Sequence, residues 1–256
     1  MIVAGIDMGS LTTKAAIVED FDLISHSIGR SGVNVVEIAR HVMNEALGKV
    51  GLSSQDVERI VATGYGRISL PFAHRTITEI TCNARGLHQQ FPDSKIIIDI
   101  GGQDTKVIRL GPDGTVENFT MNDKCAAGTG RFLEVAAQTL EVDIDALAEL
   151  SSQSRNTIEI SSTCTVFAQT EIVSMMARQT PREDIIAALH VSIARRVFGL
   201  FCSLRTEGPI VMTGGVAKNS GVVRALENLI KRRLFIPENP QIWTAFGAAL
   251  FGEKKQ

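Results

Sequence analysis

A short pattern of acid, glycine, threonine and lysine occurs twice in the chain. The segment IDMGSLTTK at 6–14 returns as IDIGGQDTK at 98–106, with Ile, Asp, Gly, Thr and Lys at matching positions. A carboxylate can hold a hydrated divalent cation, glycine lets backbone N–H groups approach a phosphate, and lysine can neutralise it. The two segments therefore predict binding of an anion together with a metal ion. The alternative is a chance resemblance between two ordinary β-hairpins.

Each copy follows a short apolar run and leads into another, the pattern of a strand, a glycine turn and a second strand. Two such hairpins predict a duplicated fold in which both hairpins bind one anion, each from its own side. From their chemistry, Asp7 and Asp99 are expected to hold the cation, and Lys14 to neutralise the anion.

A third element, Gly214-Gly215, lies between a predicted strand at 209–212 and a predicted helix at 218–230. Two glycines at such a turn leave room for a ribose or a flat ring beside helix N–H groups. The chain contains no GxxxxGK[ST] loop, and Gly128-Thr129-Gly130 lacks the rest of a dinucleotide fingerprint. The order of the three elements resembles the actin, Hsp70 and sugar-kinase ATPases. That resemblance implies an α/β fold with two RNase-H-like lobes around a magnesium nucleotide cleft.

The composition is that of an ordinary globular protein. The 256 residues are 44% hydrophobic and 21% charged, with a formal net charge of −2. We expect no affinity for nucleic acid or for anionic membranes, and the absence of a signal peptide predicts a cytoplasmic protein. The four cysteines are then expected to be reduced, so metal binding competes with simple burial as their explanation.

Alternating and helical hydrophobic patterns predict α/β structure throughout. We expect a first lobe at 1–94 and a second at 95–242, with a C-terminal helix at about 243–256 packed back on the first. The predicted strands lie at 2–7, 12–18, 23–28, 59–63, 95–100, 105–110, 115–121 and 209–212. The predicted helices lie at 33–50, 79–91, 129–140, 145–150, 166–178, 182–204, 218–230 and 243–251.

The four cysteines divide into two pairs. Cys125 and Cys164 lie in polar, small-residue stretches just ahead of predicted helices, where helix N–H groups stabilise a thiolate. Cys82 and Cys202 are expected in the core. Two thiolates are too few for a four-cysteine centre, but a twofold dimer brings four together. By ligand count, either an iron–sulfur cluster or a tetrahedral zinc ion fits.

Several motifs resemble the ATPase activators of 2-hydroxyacyl-CoA dehydratases and the ATPase subunits of benzoyl-CoA reductase. The resemblance runs from Ile2 to about Phe251, and its motifs lie at 64–67, 98–104, 121–134 and 162–168. It implies a homodimer, or paired homologous subunits, sharing one 4Fe–4S cluster, whose ligands here are Cys125 and Cys164. It also implies ATP-driven transfer of a low-potential electron, from ferredoxin or flavodoxin, to an iron–sulfur dehydratase or reductase.

The same resemblance assigns the nucleotide site. Phosphoryl transfer is expected to go to water, which Gln103 or Asp104 orients. Asp104 is favoured as the essential group, the alternative being that it only braces the hairpin. The predicted catalytic residues are Asp7, Gln103 and Asp104. The predicted contacts to ATP and Mg²⁺ are Asp7, Ser10, Leu11, Thr12, Thr13, Lys14, Asp99, Gly101, Gly102, Gln103, Gly214, Gly215 and Gln241.

Four positions depart from the family pattern, and they leave the identity of the partner enzyme open. These positions are Leu11, Asn83, Gln169 and Thr244. A different class of function, a small-molecule kinase of the same fold, would leave the cysteines without a chemical role. A nucleotide sensor would bind ATP without turnover.

Overall fold

A computed structural model describes residues 1–162 and 164–253. The chain divides into two compact units. The first comprises Met1–Lys95, Ile108–Asn118 and the segment from Glu238 onward, and the second comprises Ile96–Val107 and Phe119–Pro237. Segment 108–118 thus belongs to the first unit, whereas the predicted border at residue 94 assigned it to the second lobe.

The first five-stranded sheet has the order β3-β2-β1-β4-β5. Strand β1 is antiparallel to β2 and parallel to β4. Its strands are β1 (Ile2–Met8), β2 (Thr12–Glu19), β3 (Asp22–Arg30), β4 (Arg59–Thr63) and β5 (Arg75–Thr76). Its helices are α1 (Val35–Gly48), α2 (Glu79–Gln90) and α8 (Trp243–Leu250).

Alternation along β1 gives this sheet two buried faces. Ala4, Ile6 and Met8 join the core formed with α1. Gly5 lies against α8, so closely that a side chain there would collide with the helix backbone. Helix α8 also packs on α2, where Gly247 leaves no space for a Cβ beside the Cys82 carbonyl. The first unit therefore depends on a helix from the far end of the chain.

The second sheet has the order β10-β9-β6-β7-β8. Its strands are β6 (Ile96–Ile100), β7 (Thr105–Leu110), β8 (Val116–Asn122), β9 (Ile210–Thr213) and β10 (Leu234–Phe235). The helices of the second unit are α3 (Gly130–Leu140), α4 (Leu147–Ser152), α5 (Thr165–Ala177), α6 (Arg182–Ser203) and α7 (Ser220–Ile230). Apolar side chains from these helices and from β6, β7 and β9 form one core.

The two sheets share one topology. Read from β8, the second order is β8-β7-β6-β9-β10, which matches β3-β2-β1-β4-β5 strand for strand. The parallel pairing of β6 with β9 likewise repeats that of β1 with β4. The predicted duplicated α/β fold is confirmed.

The predicted strands and helices are confirmed to within a few residues, with three differences. The region around 145–150 begins as a 3₁₀ turn, Ile144–Ala146, before α4. A second 3₁₀ turn, Gly215–Lys218, separates the glycine pair from α7, which begins at Ser220 and not at Lys218. The sequence pattern missed β5, β10 and the 3₁₀ turn Arg67–Ser69.

Helix α6 is long and apolar enough, by length and composition, to cross a membrane. The charged residues of α6 fall at 182–184 and 195–196 and leave an apolar stretch between them. Core helices of soluble proteins satisfy the same criterion. Ile185, Leu189 and Ile193 of α6 are buried in the core of the second unit.

Candidate functional site

The first hairpin joins an acid to a lysine across its two strands. Asp7 of β1 pairs in register with Lys14 of β2, and Lys14 Nζ lies 3.0 Å from Asp7 Oδ2. Both side chains are largely buried, with 9% of Asp7 and 13% of Lys14 exposed. A Cβ on Gly9 would approach the Thr12 carbonyl oxygen to 2.7 Å, so this turn requires glycine.

Hydrogen bonds hold the turn of the first hairpin in place. The Thr13 and Ser31 hydroxyls are 3.0 Å apart, and Ser31 Oγ donates to the Gly9 carbonyl over 2.7 Å. Ser10 is exposed, while Leu11 and Thr12 are partly exposed. The predicted residues 7 and 10–14 are thus brought together around one accessible turn.

The second hairpin carries one more acid than the first. Lys106 Nζ lies 2.6 Å from Asp104 Oδ2 and 4.0 Å from Asp99 Oδ2, with only 4% of the lysine side chain exposed. Thr213 Oγ1 donates to Asp99 Oδ1 over 3.0 Å. One buried ammonium is therefore shared by two carboxylates. The predicted site residues did not include Lys106, although its repeat position matches that of Lys14.

Asp104 also shapes the turn that follows β6. Its carbonyl accepts from the Gly101 N–H over 2.9 Å, and its Oδ1 would lie 2.6 Å from a Cβ at Gly101. Gly101 and Gly102 are partly exposed, and Gln103 is exposed. The turn therefore presents backbone, an amide side chain and a carboxylate together.

The Gly214-Gly215 turn lies against the second hairpin. Strand β9 pairs in parallel with β6, which brings Thr213 beside Asp99. Gly214 has φ of 87°, and a Cβ there would be 2.9 Å from Asp99 Oδ1. The structure thus brings this turn to the second hairpin, while Gln241 lies partly exposed in the turn before α8 of the first unit.

A buried histidine supports the segment after Gly215. The Asn219 side chain caps α7 by accepting from the Gly221 and Val222 N–H groups, and its Nδ2 is 3.2 Å from His190 Nε2. Burial, aided by the positive charge of Arg224, lowers the pKa of His190 to about 4. His190 is therefore neutral near pH 7, and Nε2 can accept a hydrogen bond from Asn219.

The two cysteines expected in the core have different outcomes. Cys82 is fully buried, which confirms the prediction, and burial raises the pKa of its thiol to about 12. Cys202 is exposed, so its predicted burial is wrong. The partly buried Phe201 packs against the core, and one step along a helix turns the next side chain by about 100° toward solvent.

Cys125 lies partly exposed in the loop between β8 and α3. Asn122 Nδ2 donates to the Cys125 carbonyl over 2.8 Å. The Thr129 hydroxyl and N–H both donate to the Ala126 carbonyl, over 2.5 and 3.1 Å. The loop is thus held by its own polar side chains on both sides of the thiol.

Cys164 is partly exposed and occupies the N-cap position of α5. The Glu171 carboxylate accepts from the Ser161 and Ser162 N–H groups, each over 2.9 Å, and so fixes the chain just before the cysteine. Thr163 of the same motif lies outside the described residues. The N-terminal N–H groups of a helix favour a negatively charged sulfur.

The helices that follow these two cysteines, α3 and α5, pack against each other. Phe132 and Ala136 of α3 share a core with Ala168 and Ile172 of α5. Within 1–162 and 164–253, no three His, Cys, Asp or Glu side chains cluster as a metal site would require. Cys125 precedes the first helix of this pair by a few residues, Cys164 caps the second, and both thiols are accessible.

Comparison with known proteins agrees with this geometry. Residues 4–252 match the BadF/BadG/BcrA/BcrD ATPase family. The chain is 43% identical to the 2-hydroxyisocaproyl-CoA dehydratase activator of Clostridioides difficile, over 98% of this chain and 94% of the relative. It is 45% identical to the activator of lactoyl-CoA dehydratase of Anaerotignum propionicum, over 98% of this chain and 97% of the relative.

Solved structures agree as well. The Clostridium difficile activator with bound ADPNP has a TM-score of 0.93 at 43% identity, over 98% of this chain and 94% of the other. A ROK family glucokinase from Streptomyces griseus shares the fold alone, at a TM-score of 0.61 and 13% identity, over 98% and 99% of the two chains. The predicted family and two-lobe ATPase fold are confirmed. The chain belongs to the BadF/BadG/BcrA/BcrD ATPase family.

Proposed function

We propose that this ATPase activates a 2-hydroxyacyl-CoA dehydratase or a related CoA-ester reductase in the cytoplasm by delivering a low-potential electron to it. The observation that carries the proposal is the pair of partly exposed cysteines, Cys125 and Cys164, beside the packed helices α3 and α5. A small-molecule kinase gives these thiols no role. The relatives above are named as dehydratase activators, which supports the same choice.

The two hairpins act on ATP in different ways. Backbone N–H groups at 9–12 and 101–103 and the Lys14 ammonium would carry charge on the phosphates. Asp7 and Asp99 would hold Mg²⁺ through water, and this ion would supply charge neutralisation on the phosphate oxygens. Gly214, Gly215 and Gln241 would contact the nucleoside.

Asp104 is the residue we assign to the attacking water. Lys106 holds Asp104 Oδ2, while Oδ1 lies beside Gly101 at the accessible turn. A carboxylate fixed in this way can orient water without rotating away. Gln103, which is exposed on the same turn, is the alternative.

In a homodimer, Cys125 and Cys164 of the two protomers would together supply four thiolates to one shared 4Fe–4S cluster. Such a cluster, when bound, supplies one-electron transfer at low potential. The cysteine segments hold the thiols, and the N-terminus of α5 stabilises negative charge at Cys164. Ferredoxin or flavodoxin would be the donor, and the iron–sulfur dehydratase or reductase the acceptor.

The test is the iron and sulfide content of anaerobically purified protein, measured together with its ATPase rate. We expect about four iron and four sulfide per dimer, lost in Cys125→Ser and Cys164→Ser and kept in Cys202→Ser. Cys202 is a matched control because it is also an accessible cysteine of the second unit. Iron-free protein that transfers phosphate to a small-molecule acceptor would contradict the proposal, as would ATP binding without turnover.

A further inference from the structure

The end of the Cys125 loop is hydrogen-bonded to the second hairpin at three points. Thr105 Oγ1 donates to the Gly128 carbonyl over 2.8 Å. The N–H groups of Gly130 and Arg131 donate to the carbonyls of Gly101 and Gly102 over 2.9 and 2.8 Å. The turn that we assign to phosphate is therefore bonded directly to the segment that carries a proposed cluster ligand.

These bonds replace the usual cap of helix α3. The N-cap residue, Thr129, makes no side-chain bond to the first turn of the helix. The first N–H groups of a helix need acceptors from outside it, and here the hairpin carbonyls supply two of them. A displacement of the hairpin turn would therefore leave the start of α3 without acceptors, unless the two move together.

Gly128 is held from two sides. Its φ of 90° is a conformation that favours glycine, and a Cβ there would be 3.2 Å from Arg196 Cδ of helix α6. The hydroxyl of Thr105, a residue that is only 1% exposed, donates to the Gly128 carbonyl. Gly128 is three residues from Cys125, so we expect a shift of the Gly128 backbone to move Cys125 as well.

The corresponding threonine of the first hairpin bonds differently. Thr13 occupies the position of Thr105 in the repeat, but its hydroxyl pairs with Ser31, next to β3 of its own sheet. The bond from hairpin to cysteine loop is thus a property of the second copy.

We propose that Thr105 is a positioning residue that couples the phosphate turn at 101–103 to the Cys125 segment. The inference rests on the proposed function and names the contact through which nucleotide state reaches one cluster ligand. Phosphate at the turn shifts the Gly101 and Gly102 carbonyls, and Thr105 makes Gly128 follow. Without the hydroxyl, the turn still binds nucleotide, but the loop responds less.

The experiment is hydrogen exchange on the full-length protein, followed by mass spectrometry of peptides covering 122–133. Exchange is compared with ADP and with a non-hydrolysable ATP analogue, for wild type and for Thr105→Val, which keeps the side-chain shape. Thr105→Ser restores the hydroxyl. Thr139→Val is the matched control, since Thr139 Oγ1 donates to the Val135 carbonyl within α3 and not to the hairpin. Thr105→Ala is a second deletion of the hydroxyl, should the valine variant fold poorly.

We expect the two nucleotides to change wild-type exchange by roughly 5-fold or more, the lower end for coupled sites. The ratio should fall in Thr105→Val and Thr105→Ala without reaching one, because the bonds from the Gly130 and Arg131 N–H groups remain. It should persist in Thr105→Ser and Thr139→Val. A full response without the hydroxyl, or no response in a wild type that binds ATP and contains iron, overturns the coupling. Absence of ATPase activity or of iron in wild type overturns the proposed function instead.

Discussion

The two hairpins have the same strand–turn–strand arrangement, but the second carries one more acidic residue than the first. In the first, Asp7 is the one carboxylate of the described residues that pairs with Lys14, at 3.0 Å. In the second, Lys106 faces both Asp99 and Asp104, because Asp104 stands where the first copy has Thr12. Under the proposed function, this single position in a duplicated turn separates a loop that binds phosphate from one that also orients water.

The largest expected effect tests this division directly. Asp104→Asn should slow ATP hydrolysis by at least ~10²-fold, because the amide cannot hold water as the carboxylate does. Iron content should remain normal. Steady-state phosphate release measures the rate, and Gln103→Ala, expected to lose less, is measured beside it. If the glutamine variant loses more, Gln103 is the water-positioning group and Asp104 only braces the turn.

The two lysines give the next contrast. Lys106→Met leaves two neighbouring carboxylates without their cation, and we expect a loss of about 3 kcal/mol in the free energy of unfolding. Lys14→Met strands only one carboxylate and should cost less. Denaturant titration of both variants measures the difference. Equal losses would mean that the second acid of the second hairpin is not held electrostatically.

Acid should destabilise the second unit through His190. His190 has a folded pKa of about 4 against an ordinary value of 6.5, so its stabilising effect is complete above pH 6.5 and is lost as pH falls toward 4. Between pH 7 and 5 this linkage removes about 2 kcal/mol of unfolding free energy. His190→Gln should flatten that slope in denaturant titrations at the two pH values. An unchanged slope would show that His190 is not the titrating group.

The smallest effect separates the two threonines. Thr13→Val removes the bond to Ser31 and should lower the free energy of unfolding by about 1 kcal/mol. At nucleotide concentrations that saturate the variant, the response of peptides covering 122–133 should persist, unlike in Thr105→Val. Denaturant titration and hydrogen exchange on one preparation provide both readouts. A lost response in Thr13→Val would mean that hairpin stability, and not the Thr105 contact, controls the cysteine loop.

Much of the fold follows from local patterns in the chain. The repeat at 6–14 and 98–106 predicted two hairpins, and strands β4 and β7 have their predicted bounds. The strands β5 and β10 escaped prediction because two residues have no periodicity to detect. The 3₁₀ turn after Gly214 escaped because glycine spacing does not define where the next helix starts.

The site was less accessible to sequence reasoning, since it depends on contacts between distant segments. Lys106 could have been found by its repeat position, but the sharing of its ammonium between Asp99 and Asp104 could not. The bond from Thr105 to Gly128 requires knowing how β7 meets the loop before α3. Cys202 was misplaced because an apolar neighbourhood in sequence does not tell which side of a helix a residue occupies.

The return of helix α8 to the first unit sets an order of events during synthesis. Most of the first unit is made before the second, yet its sheet is covered by α8, and Gly5 and Gly247 leave space only for that helix. The second unit is complete by Pro237, whereas the first still waits for the segment from Glu238 onward. The unit whose translation begins first is therefore the last to have all of its segments available for folding.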